Sequence, residues 1–187
     1  MIISTLLGED RLNRLRVYTQ LTNWIQGSIV EIGVYKGGSA TCIAKHKVRT
    51  RNFYCFDTFE GMPQVNPNFD NYHKEKDFND TDFNFVKSHL EKFPNTFVYK
   101  GKFPEVNSSV IENQKFSLVH IDVDIYESYM NCLNFVYPRM VAGGVIIFDD
   151  YDQSTCLGAK KAVDEFLADK KESLIWKMGP QLCIVKQ

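Results

Sequence analysis

The chain has 187 residues, 44% of them hydrophobic and 24% charged, with a formal net charge of -1, values that favour one globular domain able to bury its own core. So even a balance gives no overall field for nucleic acid or an anionic membrane, and the apolar stretch MVAGGVIIF at 140–148 is far too short to span a bilayer. The N-terminal MIISTLLGEDR lacks the basic and long apolar parts of a secretion signal, and Cys42, Cys55, Cys132, Cys156 and Cys183 show no CxxC pair, so reduced thiols and a cytoplasmic location are expected.

Along the chain, Leu12, Leu15, Val17, Leu21, Trp24 and Ile25 recur near helical spacing, which predicts an N-terminal helix over 10–26, within a leading segment 1–27. SIVEIG (28–33) reads as a buried strand running into a glycine turn, and GSATCIAKHK continues it as a helix. NFYCFD (52–57) is a second strand. Residues 58–80, rich in Asn, Asp and Pro and without apolar period, read as a long functional loop, a lid. A helix over 81–92, a strand over 96–101, a short helix near 103–112 and the strand FSLVHID (116–122) follow. Next come a helix over 126–141, the strand GGVIIFDD and a helix through STCLGAKKAVDEFLADKK. SLIWKMGPQLCIVKQ reads as a hairpin around Gly179-Pro180. Strands alternating with helices predict one α/β domain over 1–187, a mostly parallel sheet with helices on both faces and an antiparallel C-terminal edge.

Three stretches bear on chemistry. In VEIGVYKGGSA, Glu31 ends a strand and Gly33, Gly37 and Gly38 open a helix. Such a turn lets backbone approach a ligand at a helix N-terminus; the plainer reading is a turn whose glycines serve packing. It is not the dinucleotide GxGxxG, because Tyr35 fills the middle position. Asp57 ends the next strand, where an acid can accept from ribose hydroxyls; the plainer reading is a solvated loop acid or a cap. In HIDVDIYESY and GGVIIFDDYD, Asp122, Asp149 and Asp150 stand at the ends of two apolar runs. Carboxylates converging there repel unless a cation sits between them, and hard oxygen donors suit Mg²⁺, Mn²⁺ or Ca²⁺; the plainer reading is a set of loop acids paired with lysines. Asp124 has its own rival role, since Asp124-Ile125-Tyr126-Glu127 fits a capping box for the next helix. His120 shares a strand face with Asp122 and reads first as a buried structural histidine. His73, in the long loop, is either a solvated residue or a general base that reaches the site.

In this order, VEIGVYKGGSA, FDTFEGMP, HIDVDIYE, YPRMVAGGVIIFDDY and GAKKAVDEF resemble the macrocin O-methyltransferase family, over roughly residues 28–170. The resemblance implies the class I S-adenosylmethionine (SAM) methyltransferase fold, Rossmann-like with a seven-stranded sheet and a reversed last hairpin. It implies methylation of a hydroxyl on a small molecule, a sugar or glycosylated natural product, assisted by Mg²⁺ or Mn²⁺. It places Glu31, Gly33, Gly37, Gly38 and Ser39 at the cofactor, with Asp57 on the ribose and Gly101 closing the same pocket. It also implies that Asp122, Asp149 and Asp150 hold the metal; by residue type and position, Asp122 or His73 is the expected acceptor of the substrate's proton. No nucleic acid or membrane partner is expected, and a homo-oligomer is compatible. The short leading segment suggests that the N-terminal enclosure of longer relatives is reduced. Two other classes remain: a catalytically inactive methyltransferase-like module that binds a nucleoside, and a nicotinamide-dependent Rossmann enzyme, against which the absent GxGxxG counts.

Overall fold

The computed structural model describes residues 2–171 and 173–187, with residues 173–175 described by backbone alone. Seven strands form one sheet: β1 (Ser28–Ile32), β2 (Phe53–Asp57), β3 (Thr96–Lys100), β4 (Phe116–Ile121), β5 (Met140–Phe148), β6 (Ser173–Met178) and β7 (Gln181–Val185). Their order is β3-β2-β1-β4-β5-β7-β6. The first five pair in parallel, and β7 is antiparallel to both β5 and β6. Every residue of β1 and β4 is buried, the polar Glu31 and His120 included, as in a parallel sheet covered on both faces.

Side-chain alternation divides the core. Val30, Ile32, Val119, Ile121, Ile146 and Phe148 pack against α4 (Tyr126–Val136) and α5 (Leu157–Leu167). Ile29, Leu118 and Ile147 face the other way, against Leu15 of α1 (Glu9–Leu21), Ile43 of α2 (Gly38–His46) and Leu90 of α3 (Phe83–Leu90). The chain order reverses between β1 and β4, so a crevice opens at their carboxyl ends, where doubly wound sheets bind ligands.

Several expected boundaries move. The N-terminal helix stops at Leu21, and a 3₁₀ turn carries Thr22–Trp24. It buries Leu15 and Thr19, because one narrow side of this helix packs inward, chiefly against α2, while Leu21 and Trp24 are 59% and 93% exposed. The helix expected over 126–141 ends at Val136, a 3₁₀ turn with Pro138 intervenes, and Met140 already belongs to β5. The helix expected near 103–112 is a single 3₁₀ turn, Ser108–Ile111. Residues 58–80 fold back on themselves: the Met62 amide donates to the Asp77 carbonyl at 2.7 Å and the Lys76 amide to the Met62 carbonyl at 2.8 Å.

Candidate active site

One cavity of about 390 Å³ opens at the carboxyl ends of the parallel strands. The turn after β1 (Gly33, Val34, Tyr35), Ser39 of α2, Asp57 and Thr58 after β2, and Gly101 after β3 line one part of it. Asp122 and Asp124 after β4 and Asp149, Asp150 and Cys156 after β5 line the other. The loop 58–80 contributes Met62, Tyr72, His73 and Phe78. The N-terminal segment was expected to enclose little, yet Ser4, Leu6 and Arg11 also line the cavity. Ser4 bridges to Gly37, and the Gly38 amide donates to the Ser4 carbonyl at 3.0 Å.

The glycines of the first motif divide by what they touch. A Cβ at Gly33, where φ is +89°, would stand 1.7 Å from the Asp122 carbonyl oxygen, so glycine lets the ends of β1 and β4 close together. A Cβ at Gly38 would stand 2.6 Å from the Ser4 backbone. Gly33, Ser39 and Gly101 border the cavity; Gly37 and Gly38 lie behind it, seating the N-terminal segment. Glu31 is also away from the cavity wall. It is fully buried, with Oε1 2.9 Å from His120 Nδ1 and Oε2 without a hydrogen-bond partner among the described residues. The Asp57 carboxylate accepts from the Val34, Tyr35 and Phe59 amides at 2.7, 2.8 and 2.7 Å. It therefore shapes the glycine turn first, and about one of its four acceptor positions stays open.

The acids after β4 and β5 split into two kinds. Asp149 is fully buried and satisfied: Arg11 pairs with Oδ2, and Gln181 and His120 approach Oδ1 at 2.5 and 3.4 Å. Burial alone would raise its carboxyl, but the hydrogen bond and charge of His120, with Arg11 and Gln181, hold it below the usual range. His120 is held between Glu31 and Asp149; burial opposes its charge, yet bonds to those two carboxylates raise it to about 9. The expectation of a buried structural histidine holds. Asp122 is the opposite case: burial and then Asp149, Asp150 and Asp124 push its carboxyl well up. Asp150 is pushed up by burial, Asp124 and Asp149, although Tyr129 Oη and the Asp124 amide donate to its Oδ2 at 3.0 and 3.1 Å.

Asp124 does not cap α4. The N-cap position is Ile125, and Asp124 sits at φ +59° with its side chain in the cavity wall. The orphan amide of Tyr126 is taken by Asp70, both of whose carboxylate oxygens lie within 3.3 Å. Asp70 comes from the loop 58–80, so a long-range partner replaces the local box. His73 is likewise not solvated: it is 8% exposed, with Nε2 3.4 Å from Cys156 Sγ and 3.7 Å from Asp124 Oδ1. Arg11, Asp70, Cys156 and Gln181 escaped the sequence reading. Arg11 and Gln181 lie outside every motif, Asp70 was one polar residue in a polar loop, and Cys156 had no metal-type spacing.

The profile of the TylF macrocin-O-methyltransferases matches residues 1–175 of the chain. The chain belongs to this family. It is an O-methyltransferase with the class I fold. Among characterised relatives is the demethyldecarbamoylnovobiocin O-methyltransferase of Streptomyces niveus, 27% identical over 188 residues, covering 88% of this chain and 68% of the relative. Another is the mycinamicin III 3''-O-methyltransferase of Micromonospora griseorubida, 25% identical over 189 residues, covering 88% and 70%. Among solved structures the O-methyltransferase NovP superposes with a TM-score of 0.81 at 25% identity, covering 97% of this chain and 81% of that one. The calicheamicin methyltransferase CalS11 shares the fold, with a TM-score of 0.79 at 18% identity and coverage of 94% and 78%.

The acids of this macrocin-type site fit a hard divalent cation. Asp122, Asp124 and Asp150 offer oxygens within 4.8 Å of one another, and His120, Asp122 and Asp149 offer a ring nitrogen and two oxygens within the same span; the first set contains only the oxygen donors that Mg²⁺ or Mn²⁺ prefers. The expected trio named Asp149 in place of Asp124. Here the Asp149 oxygens already have three donors, which leaves about one of four acceptor positions for a cation; releasing a donor would free more, Arg11 being the nearest to solvent.

Proposed function

We propose that this chain transfers the methyl group of SAM to a hydroxyl of a sugar-bearing natural product, with a divalent cation at Asp122 and Asp150 and with Asp124 or Asp149 completing the set. The observation that carries this reading is the meeting, in one cavity, of the β1 glycine turn with Asp57 and of four carboxylates at adjacent strand ends. Printed names of the relatives point to the acceptor class: the mycinamicin enzyme is a 3''-O-methyltransferase, and a Streptomyces olivaceus relative, 26% identical over 174 residues, methylates a dimethoxyrhamnosyl tetracenomycin at its 4' oxygen.

When bound, SAM supplies an electrophilic methyl and the cation eases ionisation of a neighbouring hydroxyl. The rest is work for the chain. Gly33, Ser39, Gly101 and the remaining acceptor position of Asp57 hold the nucleoside part, and Tyr35 and Phe78, edge to face at 5.8 Å, close over it. Asp122 and Asp150 orient the acceptor. Its proton passes to a group on the same wall. Asp122, if it ligates the cation, is committed; Asp124, with its carboxyl raised by burial, and His73 beside it stand ready to receive. Orienting hydroxyl and methyl in line contributes much of the rate. The test is release of S-adenosylhomocysteine (SAH) from a panel of glycosides, with and without chelator. Turnover that needs Mg²⁺ or Mn²⁺ and falls at least 100-fold in Asp122→Asn supports the proposal; full turnover in chelator removes the cation from it.

A further inference from the structure

From the geometry of His73, Asp124 and Cys156 we infer a second cation site in the cavity wall, one for a soft divalent ion of the Zn²⁺ class. The three donor atoms come from separate parts of the chain: the loop 58–80, the turn after β4 and the residue that opens α5. His73 Nε2 lies 3.4 Å from Cys156 Sγ, Cys156 Sγ lies 3.5 Å from Asp124 Oδ1, and His73 Nε2 lies 3.7 Å from Asp124 Oδ1. Nitrogen, sulfur and oxygen ligands bound tetrahedrally at about 2.0–2.3 Å stand roughly 3.3–3.5 Å apart. The three atoms thus already form one face of such a tetrahedron to within a few tenths of an ångström. All three residues line the cavity, so the fourth position faces the space where a substrate or water enters, as in zinc sites with three protein ligands.

The surroundings support the same reading. The other ring nitrogen of His73, Nδ1, is 3.6 Å from Asp77 Oδ2. That is just outside hydrogen-bond distance; a carboxylate behind the imidazole favours the proton on Nδ1 and so leaves Nε2 to ligate. Thr155 Oγ1, 3.6 Å from Cys156 Sγ, can donate to a thiolate. Binding releases the thiol proton to solvent, and one thiolate and one carboxylate then neutralise the two charges of the ion. Thiolate and imidazole select this ion over Mg²⁺, which keeps to the carboxylates of Asp122 and Asp150. Occupancy ties the loop to both strand ends and, on the reading proposed above, takes up the two groups placed to accept the acceptor's proton.

Co²⁺ tests the site without reference to methyl transfer, because a thiolate ligand gives it a near-ultraviolet charge-transfer band and tetrahedral geometry gives visible bands. One equivalent of Co²⁺ should produce both in the full chain, Zn²⁺ should displace them, and a large excess of Mg²⁺ should not. Cys156→Ser should abolish the charge-transfer band, and serine is well tolerated at the position before a helix. Asp77→Asn keeps every ligand and should weaken Co²⁺ binding about 10- to 100-fold. Cys42, whose Sγ is 3.9 Å from His46 Nδ1, is the internal control: a band that survives Cys156→Ser and vanishes in Cys42→Ser overturns the assignment. Absence of any charge-transfer band in folded wild-type protein, checked by circular dichroism, overturns it too.

Discussion

Arg11 reaches from α1 to Asp149, which is fully buried, and also donates to the Leu6 carbonyl at 3.0 Å. Removing it leaves a buried carboxylate short of one charged donor, a loss of roughly 1–3 kcal/mol. Arg11→Gln should therefore lower stability in urea, and it should tighten Mn²⁺ binding, followed by loss of the free-ion signal, because Asp149 becomes available to a cation. His120 gives a second expectation. Its folded value of about 9 stands above the ordinary 6.5, so its contribution is complete below pH 6.5 and fades as pH rises through 9. The difference is on the order of 3 kcal/mol. Unfolding midpoints at pH 6 and pH 9.5 should show this loss, and His120→Gln should flatten it. Asp122 and Asp150 act in the opposite sense from Asp149: raised by burial and like charge, they favour the fold while protonated and oppose it as pH climbs from the acid range. A divalent cation should recover that part of the stability.

The loop 58–80 behaves as an element with its own attachments. Asp70 closes the N-terminus of α4 and presses on α5, where a Cβ at Gly158 would stand 2.0 Å from its Oδ1. A residue in this capping role contributes about 0.5–2 kcal/mol. Asp70→Ala should lower the unfolding free energy in urea by that amount and raise hydrogen exchange across 62–77, while the sheet amides stay protected. The lid assignment makes a separate demand. His73, Met62, Tyr72 and Phe78 face the cavity, so SAH with an acceptor should slow exchange in this loop beyond its ligand-free level. Equal exchange in both states would make the loop a fixed wall.

For the molecule as a whole, the site is an accident of neither end of the chain. Its walls come from residue 4 to residue 156, and they meet because β1 and β4 are adjacent at the centre of the sheet. Ligand binding to the folded state alone should then stabilise the entire domain, by about 2.7 kcal/mol at a hundredfold excess over Kd. SAH should raise the melting temperature and NAD should not. Asp57→Ala should reduce that shift twice over, by removing an acceptor and by loosening the Val34 and Tyr35 amides it holds.

The α/β architecture, the strand ends carrying Asp57, Asp122, Asp149 and Asp150, and the terminal hairpin were all written in local patterns. Apolar runs, glycine turns and acids that close a strand depend on neighbours within a few residues, so periodicity exposes them. The N-terminal helix was overdrawn at Trp24, and Asp124 was given a cap it does not make, because spacing shows that a residue could pack or bond but not which partner is nearer. Glu31 was placed at the cofactor by the family resemblance, whereas pairing of Glu31 with His120 across the β1–β4 register turns its carboxylate into the core. Arg11 on Asp149, Gln181 on Asp149 and Asp70 on α4 join residues 138, 32 and 56 positions apart. Contacts over such separations leave no local trace in the sequence. The sequence by itself determined which residue types stand at the strand ends; tertiary packing decided which acids are paired, which repel and which side chains His73 meets, since only folding sets the distances on which charge and coordination depend.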